Sequence, residues 1–187
     1  MATAAVETRH WTREEYERLV EQGFFHPDEH IELIEGVIYE MPPQKSLHAF
    51  GVRAVTTSLQ AIFGKGFDVR SQMPLALSDD SEPEPDVAVV PGSFTDYVES
   101  HPTTAELIVE VADSSLLHDR KRKTGLYARE GIAEYWILNL VKRCLEVYRA
   151  PKDGIYTVRL ILRDGDSVSP LARPEASIPV GSLLPRP

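Results

Sequence analysis

The chain reads as an α/β fold with a mixed central sheet flanked by helices and preceded by an N-terminal helix and a hairpin. Three observations predict it. Two runs, EPEPDVAVV at 82–90 and AELIVEVADSS at 105–115, are apolar and β-forming over most of their length, as buried strands are. Residues 46–63 and 116–130 carry helical periodicity on either side of them. Further strand-like runs follow in AEYWILNL, CLEVYRAP and GIYTVRLILRDGDSV.

Taken in order, WTREEYERLVEQG (11–23) opens on Thr12 before a Glu-rich first turn and stops at Gly23, which predicts a short helix. IELIEGVIYEM (31–41) holds two apolar runs around Glu35-Gly36, a hairpin signal. In the helix over 46–63, a spacing of ~100° per residue aligns His48, Val52, Val55, Leu59 and Ile62, so His48 points where the core residues point. GFDVRSQMPLAL (66–77) reads as one strand, with a polar turn at 78–82. Ser114 and Ser115 cap the helix over 116–130, which ends at Gly131. The next two runs form a hairpin around Val141-Lys142, 154–168 is a further strand, and the Pro-rich tail from 170 wraps the surface. No internal repeat interrupts this order, and 1–187 is expected to fold as one domain.

Composition narrows the function. With 42% hydrophobic and 26% charged residues, no apolar stretch reaching ~18 residues and no apolar leader-like segment, a cytoplasmic globular protein is expected. The lone Cys144 supports neither a disulfide framework nor a thiolate zinc site. A net charge of −9 argues against a passive nucleic-acid binder, because such affinity comes from neutralising phosphates with Lys and Arg. It leaves room for an enzyme that acts on nucleic acid through acidic metal ligands, with the basic run Arg120, Lys121, Arg122 and Lys123 facing a phosphate backbone or lying on a solvated helix face.

The chemistry is concentrated in two acids. Asp86 and Glu110 each sit inside an apolar run, where an unpaired carboxylate costs several kcal/mol or gives up its charge. Two of them suggest a shared cation. Magnesium prefers hard oxygen ligands and keeps several waters, so Asp86, Glu110 and the main-chain carbonyl of Val111 would suffice, with manganese able to substitute. On the helix over 116–130, Lys123 falls within ~20° of Leu116 and ~40° of Tyr127, whereas Lys121, Arg122 and Arg129 fall on the far side. Lys123 is therefore the lysine that faces the sheet, placed to orient or deprotonate a water and to counter charge in a phosphoryl transition state.

These residues resemble the PD-(D/E)XK nuclease superfamily: Pro85-Asp86 at the start of one strand, Glu110 in the middle of the next, a lysine nearby and a helix bearing His48. Over about 28 to 184 the chain is similar to the Uma family of putative restriction endonucleases, through IELIEGVIYEMPP, His48, Gln72, PDVAVV, LIVEV, Asp119 with Lys123, and LYAREGIAEYWIL. The resemblance implies a restriction-endonuclease-like fold and hydrolysis of DNA with Asp86, Glu110, Lys123 and His48 as the site. The position two residues after the glutamate, where the superfamily motif carries its lysine, is Ala112, and the lysine has moved to 123.

Plainer readings stand beside these. Asp86 fits a strand-entry turn after Pro85, Glu110 and Lys123 fit a buried ion pair, and His48 fits a satisfied core histidine, which together would make a catalytically silent binding or assembly module. Glu32 and Glu35 are expected mostly as solvent-facing charge, with Glu32 a candidate for an outer contact. HPDEH at 26–30 matches a zinc-protease pattern, but Pro27 and the following strand deny it the helix that motif requires. Cutting both DNA strands needs two sites, so a homodimer is the expected assembly, with DNA as its partner.

Overall fold

Residues 8–113 and 119–186 are described by this computed structural model. Helix α1 (Arg13–Glu21) starts at Thr12, whose hydroxyl accepts from the Glu15 amide at 3.2 Å while Glu15 accepts from the Thr12 amide at 3.1 Å. This reciprocal box satisfies two amide donors that a helix start leaves open. Strands β1 (His30–Ile34) and β2 (Val37–Met41) pair antiparallel around Glu35 and Gly36, both at positive φ (51° and 75°), the geometry of a tight hairpin turn. Helix α2 (Ser46–Ile62) follows.

A six-stranded sheet organises the rest. Its strands are β3 (Phe67–Arg70), β4 (Val87–Pro91), β5 (Leu107–Ala112), β6 (Glu134–Asn139), β7 (Cys144–Lys152) and β8 (Ile155–Leu162), adjacent in that order. All neighbours are antiparallel except β5 and β6, which are parallel and joined by a crossover containing one π-helical turn (Asp119–Lys123) and helix α3 (Thr124–Arg129). Central strands β5 and β6 are buried along their whole length, which explains why they read as unbroken apolar runs.

Each face of the sheet has its own core. On one, Val52, Val55 and Leu59 of α2 pack on Val87, Val109, Val111 and Trp136. On the other, Leu126 and Tyr127 of α3 and Ile34 of β1 pack on Ala88, Ile108, Tyr135 and Ile137. Asp86 and Glu110 stand where strands β4 and β5 meet, within reach of both layers.

Four expectations change. The strand expected over 66–77 ends at Arg70, because Gln72 takes φ 53° and its amide turns to the carbonyls of Pro85 and Asp86. The run 154–168 is broken by a turn in which the Asp166 amide bonds the Arg163 carbonyl at 2.8 Å, leaving β8 and a short β9 (Ser167–Val168). The tail is not a surface wrap: β10 (Ile178–Pro179) pairs with β9, and Ile178, Val180, Leu183 and Leu184, the middle two from helix α4 (Val180–Leu183), are buried in the core under α2. Third-helix residues up to 123 wind as a π turn, and the expected caps Ser114 and Ser115, Leu116 and the side chain of Asp119 lie outside the described residues. Among the described residues no helix is long and apolar enough to cross a membrane.

Candidate active site

Asp86 precedes β4 by one residue and faces Glu110, since Val87 pairs with Val109 in the antiparallel ladder. Its backbone amide points to Glu110 Oε2 at 3.3 Å, and the Val111 amide donates to Asp86 Oδ2 at 2.8 Å. The two carboxylates therefore interlock across two strands, each bonded to the other's segment. Four-residue EPEP before Asp86 explains the local geometry: its prolines supply no amide to a ladder, so strand pairing begins only at Val87.

Each acid is held from a second direction. His48, on the first turn of α2, places Nε2 3.1 Å from Asp86 Oδ2, and Gln72 Nε2 lies 3.4 Å from Asp86 Oδ1. Gly51, one turn beyond His48, lets α2 approach this closely: a Cβ there would stand 2.7 Å from Val111 Cγ1. On the opposite side, Lys123 Nζ lies 3.0 Å and the Tyr127 hydroxyl 2.9 Å from Glu110 Oε1. Burial first, and the Glu110 charge second, raise the Tyr127 hydroxyl well above its ordinary pKa, so it remains a hydrogen-bond donor to that carboxylate.

Lys123 does face the sheet, while Lys121 and Arg122 are exposed. The basic run accordingly splits by role: Arg120 turns inward to Glu146 on β7, and Arg122 lies over the Tyr39 ring at 5.0 Å. A third acid completes the lysine's surroundings. Glu32 Oε2 lies 2.9 Å from Lys123 Nζ and 3.2 Å from the Glu84 amide, and the residue is 1% exposed rather than solvent-facing. Burial and the Glu32 charge also raise the Glu84 carboxyl, with His30 and Lys123 opposing them.

These side chains line one cleft of about 370 Å³, entered between the hairpin, the Pro42-Pro43 segment and α2, with Lys45, His48, Gln72, Asp86, Glu110 and Lys123 on its walls. All four expected site residues thus meet in it, and Val111 lies against Asp86. Glu32, Gln72 and Tyr127 join them at the carboxylates. Glu32 carries the signal that marked the other two acids, a charge embedded in an apolar run (Ile31-Glu32-Leu33-Ile34), but the short hairpin strand made an outward face the commoner assignment. HPDEH falls in the loop before β1 and on its first residue, not on a helix.

The donor set is one of hard oxygens. Among the described residues no group of three or more His, Cys, Asp or Glu is arranged as a ligand cage, but two carboxylates and a carbonyl do not require one. The contacts to Asp86 Oδ1 and Glu110 Oε2, at 3.4 and 3.3 Å, are long for hydrogen bonds, so these oxygens are readily redirected toward a cation.

Residues 13–181 match a family model, Uma2, described as putative restriction endonuclease. Among curated proteins, none matches the chain. Among solved structures it is similar to a putative nuclease belonging to DUF820 from Anabaena variabilis, with a TM-score of 0.73 at 14% sequence identity, covering 92% of this chain and 96% of that one. At that identity the likeness carries the fold alone.

Proposed function

The chain belongs to the Uma2 family, and from that premise we propose that it is a metal-dependent endonuclease hydrolysing DNA phosphodiester bonds. The observation that carries the reading is the Asp86–Glu110–Lys123 cluster: two buried acids face each other at the wall of an open cleft, with a buried ammonium 3.0 Å from one of them. Buried charges gathered in a cleft, with His48 and Gln72 both addressing Asp86, are the arrangement by which functional sites are recognised.

Asp86, Glu110 and the main-chain carbonyl of Val111 would hold magnesium, with manganese able to take its place. When bound, such an ion supplies charge neutralisation at the phosphoryl oxygens and acidifies a coordinated water. The remaining work falls to this chain. Lys123, screened from bulk solvent, orients the attacking water and stabilises negative charge that develops on the phosphoryl group. His48 and Gln72 fix the rotamer of Asp86, and Tyr127 with Lys123 fixes that of Glu110. Exposed Lys45 at the cleft rim and exposed Lys121 on the π turn meet the phosphate backbone, which offsets the repulsion expected from a net charge of −9. Cutting both strands takes two copies, and the reading places the protein in the cytoplasm, where the lone Cys144 stays reduced.

The test is cleavage of supercoiled, linear and single-stranded DNA with Mg²⁺, Mn²⁺ or EDTA, beside Glu110→Gln and thermal melts with each cation. Wild type should cut only with a cation and melt higher in its presence. Glu110→Gln should remain folded, lose the cation-induced shift and cut roughly 100-fold or more slowly, the scale of losing one preorganised charged group. A wild-type protein that neither cuts nor responds to either cation would instead be a silent binding module with Glu110 tied permanently to Lys123.

A further inference from the structure

Beside the cleft that holds Asp86 and Glu110 lies a second cavity of about 340 Å³, bounded by α1, the loop after it and β1. That volume falls within the ~300–1,000 Å³ range of small-molecule sites. The two cavities share His30, Ile31 and Glu84 as wall residues, so they adjoin one another across the first strand of the hairpin. Two aromatic rings, Tyr16 and Phe25, line the second one. Phe25 is held by the Tyr16 ring at 6.3 Å and by the Phe24 ring at 5.3 Å. The Tyr16 hydroxyl donates to the Ile31 carbonyl at 3.1 Å, which ties α1 to the hairpin and fixes this wall. Around it Val20 and Phe24 stay 49% and 72% exposed, an apolar patch that the fold leaves uncovered. Hydrolysis at Asp86 and Glu110 makes no use of these side chains.

We propose that this second cavity seats an unpaired nucleobase of the strand whose phosphodiester lies at Asp86 and Glu110, which makes single-stranded or gapped DNA the substrate class. The inference rests on the nuclease reading for its substrate and on the cavity for its geometry. The spacing suits one nucleotide. Only Pro85 separates Glu84 from Asp86 and it holds Glu84 extended; at ~3.1 Å per residue the two stand ~6 Å apart. Charge selects the base over the backbone. Glu29 and Glu84 both line the cavity, and carboxylates repel phosphate but accept from the exocyclic amino groups that bases carry. His26 and His30 add ring nitrogens able to bond a base edge. Stacking supplies the rest, since every base has a π face to lay on an aromatic ring such as Phe25. A base inside a duplex has both faces and its pairing edge covered, so only an unpaired base enters without first being extruded.

The test uses the full chain and a short single strand bearing one 2-aminopurine among thymines, because 2-aminopurine offers an amino group and loses fluorescence when it stacks on a ring. Binding is read in Ca²⁺ and in EDTA, and cleavage in Mg²⁺ and Mn²⁺. Wild type should quench the single strand and bind it roughly 10-fold more tightly than the same strand paired with its complement. Phe25→Leu keeps apolar bulk but removes the ring. It should lose the quench and bind roughly 10-fold more weakly, the scale of one lost stacked base, with an unchanged salt slope because no phosphate contact is removed. Should Phe25→Leu fail to fold, Val20→Met decides: it narrows the cavity from a half-exposed position on α1, and should melt as wild type does while weakening binding of the single strand. A wild type that cuts, yet binds paired and unpaired strands alike or quenches no more than these variants, overturns the base site and leaves the nuclease reading standing. A quench that Phe25→Leu abolishes, in a protein that never cuts, overturns the nuclease reading and leaves the base site. Neither quench nor cleavage overturns both.

Discussion

Glu32 Oε2 lies 2.9 Å from Lys123 Nζ, and neither side chain is more than 2% exposed. Because the same ammonium is 3.0 Å from Glu110 Oε1, it bridges a hairpin acid to a sheet acid. The hairpin is thus pinned to the catalytic candidates by charge as well as by the bonds between Leu33 and Glu82 (2.8 and 3.3 Å). One ammonium between two carboxylates also leaves a net negative charge, which favours a cation at Asp86 and Glu110.

Removing one side of that bridge should be costly. Glu32→Ala strands half of a buried ion pair, and losses from such truncations run at about 3–5 kcal/mol. We expect the low end, about 3 kcal/mol, since Lys123 keeps Glu110. Urea melts of Glu32→Ala and of Glu32→Ala/Lys123→Met check this. The second change should deepen the loss, because it leaves the buried Glu110 carboxylate without its ammonium, and a drop below ~0.5 kcal/mol in the single variant would mark Glu32 as a surface charge in solution.

Gly51 makes a different demand on the same site. Its missing Cβ would meet Val111 Cγ1 at 2.7 Å, and Val111 is a β-branched residue inside a buried strand with little room to yield. Gly51→Ala should push α2 outward, cost about 1–3 kcal/mol as overpacking does, and lengthen the His48–Asp86 contact. Adding Val111→Ala should restore much of the stability. Thermal melts of the single and double variants measure it; a Gly51→Ala protein as stable as wild type would mean that α2 does not rest on the sheet at this point.

The reasons for what was legible follow from these contacts. Asp86 and Glu110 stood out because a charge inside an apolar run is costly, and the angular argument separated Lys123 from Lys121 because a helix facing a sheet offers only one stripe. That argument survived a π turn it did not anticipate, since Lys123 closes that turn and caps the helix that follows, with Tyr127 four residues on. Glu32 was underestimated because two short strands carry too little periodicity to say which face is covered. The tail was misread for another reason: Pro170, Pro174 and Pro179 signal irregular chain, but burial of Ile178, Val180 and Leu183 depends on a groove beside α2 that only the folded sheet creates.

A pH dependence is built in at Glu82, next to the hairpin. Burial first, then a shared hydrogen bond with Glu17 and the charges of Glu17 and Glu84, push Glu82 up to about 7 against the pull of Arg13. The folded state therefore keeps a proton that the unfolded chain, with an ordinary carboxyl near ~4.3, has already released. Its contribution is fully present below about pH 4, and it is lost as pH rises through about 7. From pH 5 to pH 8 wild type should lose about 1–3 kcal/mol relative to Glu82→Gln. Denaturant melts of both proteins at the two pH values test the sign, and parallel stability curves would show that Glu82 titrates normally.

The sharpest comparison uses two lysines two residues apart. Lys123 is 2% exposed and bonded to Glu32 and Glu110, whereas Lys121 is exposed. Lys123→Ala should lower single-turnover cleavage by roughly 100-fold or more, as expected when a charge aimed at the reacting phosphoryl group is lost. It should do so with little change in DNA affinity at fixed salt. Lys121→Ala should leave the cleavage step within about 3-fold and weaken binding, flattening the log–log dependence of affinity on salt by ~0.9 if one phosphate contact disappears. Because Lys123 is also structural, Lys123→Arg provides the control: it keeps the positive charge that both acids need, and should melt closer to wild type than Lys123→Ala while still cleaving slowly, since a planar guanidinium does not reproduce the point donor. Equal and modest defects in the two alanine variants would reduce the basic turn to an electrostatic patch and leave the Asp86–Glu110 pair without its proposed lysine.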